Sequence, residues 1–291
     1  FSMGVGGAAA ATVISQVVSV VLCVIHIKRH FPILQVERRH FKLEKSEVRT
    51  MLSGGLSMGM MSSLVNLGTL ILQTGINTLG TSVIVAHTAA RKVFEIWGLP
   101  VTVLGATMAT YGGQNVGAKK LDRISRGLRD CVLLGAIYSV IAFVVIYFFS
   151  DVIALLFVDA SETEILHNTR TFLLANVSFY FPLALVNIVR FMIQGLGYSR
   201  LAILAGVCEM IARSAVAFWL VPVLGYDGAC LANPAAWIAS IPSSISLPAS
   251  LFTRSVMHHP ATNSLVTLLA RLIVMCITER AQRYLSDNRS D

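Results

Sequence analysis

Ionisable side chains recur at helical spacing inside long apolar runs of this chain. His87, Arg91 and Glu95 follow one another every fourth residue, and Glu209 stands four residues before Arg213. Asn187, Arg190 and Gln194 are spaced by three and four, and Asn66, Gln73 and Asn77 by seven and four. Such steps put each set on one face of a helix. A charged group inside hydrocarbon is retained when it handles an ion or a solute, or when it is paired. The chemistry on offer is therefore capture and release of a proton, a cation or a charged solute. Glu95 is the first candidate. It lies well inside an apolar run with Arg91 as its same-face partner, while Lys92 beside it can snorkel. Desolvation and a neighbouring cation pull a carboxylate's proton affinity in opposite directions, a balance that allows exchange near neutral pH. His87 is a second proton candidate. Glu209 and Arg213 form the next ionic candidate, in the better orientation for an i,i+4 pair. Gln73, Asn77, Arg91, Asn187, Arg190 and Gln194 are candidates to line a cavity, with Arg190 placed to orient Glu209 from another helix. The competing reading is structural: such groups neutralise one another or hydrogen-bond between helices.

The elements that must position these groups are transmembrane helices. The chain is 55% hydrophobic and only 13% charged, against about 25% charged in a soluble domain. Apolar runs of about 20 residues span a bilayer. Seven are expected, over 5–27, 51–77, 81–111, 129–149, 170–195, 199–221 and 227–250. Their continuous apolarity argues against a spanning β-barrel, whose strands alternate. Pro100, Pro182, Pro234 and Pro242 fall inside spans, where each removes a backbone hydrogen bond and permits a kink. The five cysteines all sit in apolar segments without C-x-x-C or Cys/His clustering, so no disulfide, metal site or cofactor is implied.

The net charge of +8 is concentrated in two loops. Lys28, Arg29, Arg38, Arg39, Lys42, Lys45 and Arg49 fill one; Lys119, Lys120, Arg123, Arg126 and Arg129 fill the other. Neither carries a base-reading motif, so nucleic acid is not an expected partner. Basic and non-basic loops alternate along the whole chain, the loop 150–169 holding Asp151, Asp159, Glu162 and Glu164. Basic loops are cytoplasmic. The first helix then enters from outside, and the C-terminus is cytoplasmic. The tail 251–291, with Arg254, Arg271, Arg280 and Arg283, reads as an interfacial amphipathic helix or a disordered segment.

The pattern G-x-x-G-A-x-x-A occurs twice, at Gly4, Gly7, Ala8, Ala11 and at Gly225, Gly228, Ala229, Ala232. Six spans separate the two starts. This predicts a duplicated six-helix unit, the construction common to secondary transporters. The expected organisation is a last helix of an N-lobe (1–27), a basic cytoplasmic inter-lobe loop (28–50), a six-helix C-lobe (51–250) and the tail. An outside start with no leader also suggests the C-terminal portion of a longer protein. Motifs for hydrolysis, nucleotide binding or zinc catalysis are absent, so an enzyme is not expected. A receptor-like seven-helix bundle fits the helix count but not the repeat.

Several stretches resemble the multidrug and toxic compound extrusion (MATE) family. They are GVGGAAAATVISQ (4–16), INTLG (76–80), VAHTAARK (85–92), GGQNVGAKKLDR (112–123), QGLGYS (194–199) and GVCEMIAR (206–213). The resemblance implies helices six to twelve of a twelve-helix, two-lobe protein. It implies efflux of amphipathic, cationic drugs or xenobiotics in exchange for H⁺ or Na⁺, by alternating access in the plasma membrane (the bacterial inner membrane). The partners it implies are membrane lipid, the drug and the missing N-lobe. Sodium-coupled members carry acids on helices seven and ten. Here the corresponding segments offer Asn66 and no acid at all, which leaves Glu95 and Glu209 as the C-lobe carboxylates within spans. A proton site on the family's first helix would lie in the missing part. A flippase for a lipid-linked precursor, a relative with similar lobes, is the alternative; it calls for a more cationic cavity, toward which Arg91, Lys92, Arg190 and Arg213 point.

Overall fold

A computed structural model describes residues 4–31, 44–155 and 162–252. The basic residues Arg38, Arg39 and Lys42, the acidic Asp159 and the tail beyond Phe252 lie outside the described residues. Everything regular is helical, and no strand occurs among the described residues. In chain order the helices are α1 (Gly4–His30), α2 (Lys45–Asn77), α3 (Thr81–Gly117), α4 (Leu121–Leu155), α5 (Thr163–Val177), α6 (Tyr180–Gly195) and α7 (Ser199–Ala215). A π-helical turn, Val216–Leu220, leads into the short α8 (Val221–Leu224) and α9 (Tyr226–Cys230), and then α10 (Ala232–Phe252).

Five stretches are long and apolar enough to cross a membrane, and a sixth if α5 and α6 count as one broken span. The chain is thus an all-helical, multi-pass membrane protein. The expected seventh span, 227–250, is helical as α9 and α10 but is not among those six. Several helices overrun their expected apolar bounds. Their charged end turns, such as 45–49 on α2 and 122–129 on α4, are helical as well.

Contacts divide the chain into two units, Phe1–Met51 and Leu52–Asp291. The first is dominated by α1, whose most apolar window is wholly unburied. In the second, α3 is the central helix and packs along α6, α5 and α4, while α7 packs on α10. One core joins Val93, Val101 and Met108 of α3 to Tyr180, Ala184, Ile188 and Met192 of α6 and to Cys131, Ala142 and Ile146 of α4. A second gathers Leu72 and Ile76 of α2 with Val83, Ala90, Phe172, Val216 and Tyr226. Lipid entropy, side-chain fit and hydrogen bonds drive such packing, and small residues let backbones meet. At Gly195 an added Cβ would collide with the Ala109 carbonyl oxygen. Two residues on, Gly197 turns the chain at a φ of 89°. The QGLGYS stretch is therefore a close helix contact followed by a left-handed turn.

The span expected over 170–195 begins earlier, at Thr163, and bends by 52° between α5 and α6. Pro182 is the cause. It has no N–H to offer the Ser178 carbonyl, and its ring crowds that carbonyl. Pro222 stands in the same relation to Phe218 in the π-helical turn, and Pro234 to Cys230 at the end of α9. Pro100, by contrast, sits inside an unbroken α3. The second copy of the glycine–alanine motif therefore does not simply open a helix. Gly225 takes a φ of 59° between α8 and α9, and a Cβ on Gly228 would lie 2.7 Å from the Leu220 carbonyl oxygen.

Candidate functional site

The face of α6 bearing Asn187, Arg190 and Gln194 meets the Glu209–Arg213 face of α7. Arg190 Nη1 donates to Glu209 Oε1 at 2.8 Å, and Arg213 Nη1 donates to Glu209 Oε2 at 3.2 Å. Glu209 and Arg213 are buried, at 4% and 6% exposure, and Arg190 is mostly covered, at 12%. Arg190 Nη2 also donates to Asn187 Oδ1 at 2.7 Å, and Asn187 Nδ2 donates to the Leu183 carbonyl at 3.1 Å. The expected orientation of Glu209 by Arg190 across two helices is thus present in the geometry.

Two guanidiniums share one carboxylate, so this buried cluster carries one excess positive charge. Charged hydrogen bonds of this kind are about twice as strong as neutral ones, and both Glu209 oxygens are already committed to a guanidinium. Arg190 Nε and Gln194 Oε1 are buried with no hydrogen-bond partner. The other end of the Gln194 amide donates to Met61 Sδ at 3.2 Å, which anchors α6 to α2.

Two residues absent from the sequence-based candidates complete the cluster. Arg213 Nε donates to Asn233 Oδ1 at 3.4 Å, and Asn233 Nδ2 donates to Asn176 Oδ1 at 3.0 Å. Asn176 is fully buried and donates in turn to the Phe172 carbonyl at 2.8 Å. Neither asparagine has a polar neighbour three or four residues away in its own helix, the spacing that marked the other site candidates.

Glu95 stands elsewhere. Its carboxylate accepts from Arg91 Nη2 at 3.3 Å and lies 3.9 Å from Lys92 Nζ. Its side chain is 52% exposed, so the carboxylate is not buried, and Lys92 is a second partner beside Arg91. His87, one turn before Arg91, is buried rather than hydrated. It packs edge-on against Phe172 and lies 3.4 Å from the Tyr226 hydroxyl. Gln73 and Asn77 do not join either cluster. Gln73 Nε2 donates to Asn77 Oδ1 at 2.9 Å on the exposed face of α2, and Asn66 is exposed as well.

Long apolar helices, proline breaks and ionised groups held at membrane depth define a helical lobe of an integral membrane protein. The family is set by sequence: the MatE family profile matches residues 58–219, more than half of the chain. The chain belongs to that family, whose members are transporters and not enzymes. It is similar to the Probable multidrug resistance protein YoeA of Bacillus subtilis (strain 168), at 26% identity over 164 residues, covering 55% of this chain and 35% of that protein. It is also similar to the Probable multidrug resistance protein YpnP of the same organism, at 23% identity over 220 residues, covering 76% of this chain and 47% of that one. The chain therefore spans between a third and a half of the length of these relatives. Among solved structures, MATE in complex with MaL6 superposes with a TM-score of 0.77 at 17% identity, over 87% of this chain and 58% of that one. A transporter of the MOP superfamily from Pyrococcus furiosus, described as having a binding pocket of reversed polarity, gives 0.62 at 15% identity, over 75% and 50%. These likenesses are of fold.

Proposed function

We propose that this chain forms the C-lobe portion of a secondary active efflux transporter. It exports amphipathic, cationic compounds in exchange for H⁺ or Na⁺, by alternating access against an N-lobe. It works in the plasma membrane with its C-terminus in the cytoplasm.

The observation that carries the reading is Glu95. A half-exposed carboxylate stands in an apolar 37-residue helix, flanked by Arg91 and Lys92. Ionised groups at that depth are kept where they face a water-filled cavity or the inside of a bundle. The Lys92–Glu95 face of α3 then borders the central cavity, where its carboxylate takes the coupling ion or the cationic group of the drug. Glu95→Gln in the full-length protein is the test. Efflux of a cationic dye from proteoliposomes should fall at least tenfold, and wild-type efflux would remove Glu95 from the mechanism.

A second reading has one observation in its favour. The Arg190–Glu209–Arg213 cluster is cationic, as a flippase for an anionic lipid-linked precursor calls for. Arg91 and Lys92, sharing Glu95, add another excess charge. Competition of dye efflux by an anionic amphiphile, but not by a cationic one, would favour it.

A further inference from the structure

Three breaks interrupt the helices of this lobe, and each lies just ahead of a proline. One separates α5 from α6 before Pro182, one is the π-helical turn before Pro222, and one separates α9 from α10 before Pro234. Such breaks are the places where a helix bends at least resistance, since the i→i−4 ladder is already interrupted. Independent bending at each would give a loose lobe.

The polar chain described above has one member beside every break. Asn176 lies two residues before the α5 cap Ser178, and its own carbonyl accepts from the Phe179 N–H at 3.0 Å. Arg213 lies three residues before the π-helical turn, and its carbonyl accepts from the Val216 N–H. Asn233 is the second residue of α10, after the break at Leu231. Asn233 stands in the middle with both ends of its amide in use: the oxygen takes Arg213 and the nitrogen reaches Asn176. Beyond Arg213 the chain continues through Glu209 to Arg190 on α6, the far side of the first break.

We propose that Asn233 is a positioning residue that locks the three proline breaks together, so that the ends of α5, α7 and α10 beside those breaks move as one body when the lobe changes conformation. An amide suits this role better than a charged group. It donates and accepts at once, and it adds no charge to a cluster that already holds an excess. Apolar packing alone would hold the same helices, but it would not tie a residue of α10 to breaks in two other spans. The inference goes beyond the transported substrate and holds whichever reading of the substrate is right.

Hydrogen exchange by mass spectrometry on the purified protein in lipid nanodiscs tests it without any transport assay. Asn233→Leu keeps the branched shape and the number of side-chain heavy atoms and removes both hydrogen bonds. The expected result is a rise of about tenfold in amide exchange at 178–182 and at 216–221 together, on the scale of two lost hydrogen bonds. Exchange in α3 and α4 stays unchanged. Asn176→Leu breaks the same chain from its other end and should give the same pattern at 216–221. In efflux measurements both variants should lower the maximal rate several-fold while half-saturation stays within twofold; Asn233→Gln, which keeps donor and acceptor, should recover part of that rate. A rise confined to α10, a uniform rise over the whole lobe, or no change at the two distant breaks would each overturn the proposal. Failure of Asn233→Leu to yield folded protein leaves Asn176→Leu to decide on the same criteria.

Discussion

Glu95 and Glu209 each stand in a span between two basic partners, and they have opposite surroundings. Glu209 bridges α6 and α7 at 4% exposure, with both oxygens committed. Glu95 sits on one helix at 52% exposure, held by residues three and four positions earlier. The local chemistry is alike: an i,i+4 Arg–Glu pair plus a second cation. Location separates them. A buried carboxylate between two arginines has no room for a proton or a drug without losing strong hydrogen bonds, whereas an exposed one can exchange partners freely. Helix periodicity identifies such pairs, but it does not say which face of the helix is covered.

The comparison is broken most sharply at Glu209. Glu209→Gln leaves two buried guanidiniums facing each other without a counter-ion, and removal of one partner from a buried ion pair costs about 3–5 kcal/mol. We expect poor recovery of folded protein and a large drop in thermal midpoint in nanodiscs. A midpoint close to wild type would mean that the cluster is hydrated and not a closed ionic lock. Next in size comes Arg190→Met, which leaves Glu209 and Arg213 as a balanced pair. It should cost only about 1–3 kcal/mol, the scale of lost charged hydrogen bonds. The pair of changes then gives a clean coupling. Glu209→Gln combined with Arg190→Met should be more stable than Glu209→Gln alone, because the second change removes one of the orphaned charges. Strict additivity would show that Arg190 and Glu209 do not interact.

The helical, membrane-spanning fold was legible in the chain because twenty-residue apolar runs are set by bilayer thickness, and the face sets were legible because helix geometry fixes their spacing. Arg190 with Glu209 could be suggested, since both lie in apolar helices joined by the short turn at Gly197. Three things were not legible. The exposure of Glu95 depends on which side of α3 its neighbours cover, and α6 lies along the side bearing Val101, Gly105 and Met108. Asn176 and Asn233 each lack a polar partner one turn away in their helices, and only the fold brings them within 3.0 Å. The distinction between Pro100, which leaves α3 unbroken, and Pro182, which breaks its span, also depends on packing. Gln73 and Asn77 did fall on one face, but that face turned out to be one where they satisfy each other.

Glu95 sharpens the comparison from the other side. Glu95→Gln should change stability by no more than about 1 kcal/mol, as for exposed ion pairs, even though the same variant is expected to lose efflux. Thermal unfolding and dye efflux measured on one preparation check both halves. A large loss of stability would place Glu95 with Glu209 as a structural group and leave the lobe without an exchangeable carboxylate.

The smallest effect is the most telling about environment. Lys92 Nζ lies 3.9 Å from Glu95, and its side chain is 65% exposed. If this face of α3 borders water, Lys92→Gln removes a weak, screened pair and should shift stability by less than about 0.5 kcal/mol. The shift should shrink further in high salt, since exposed pairs are screened over about 10 Å at 0.1 M. If the face met lipid instead, the same change would remove an ammonium held in hydrocarbon. It would then stabilise the protein, by the insertion penalty of a central lysine less the cost of leaving a glutamine amide in hydrocarbon, with no salt dependence. The sign and salt response of one conservative substitution therefore separate a wet cavity wall from a lipid-facing one, and the role proposed for Glu95 depends on the first.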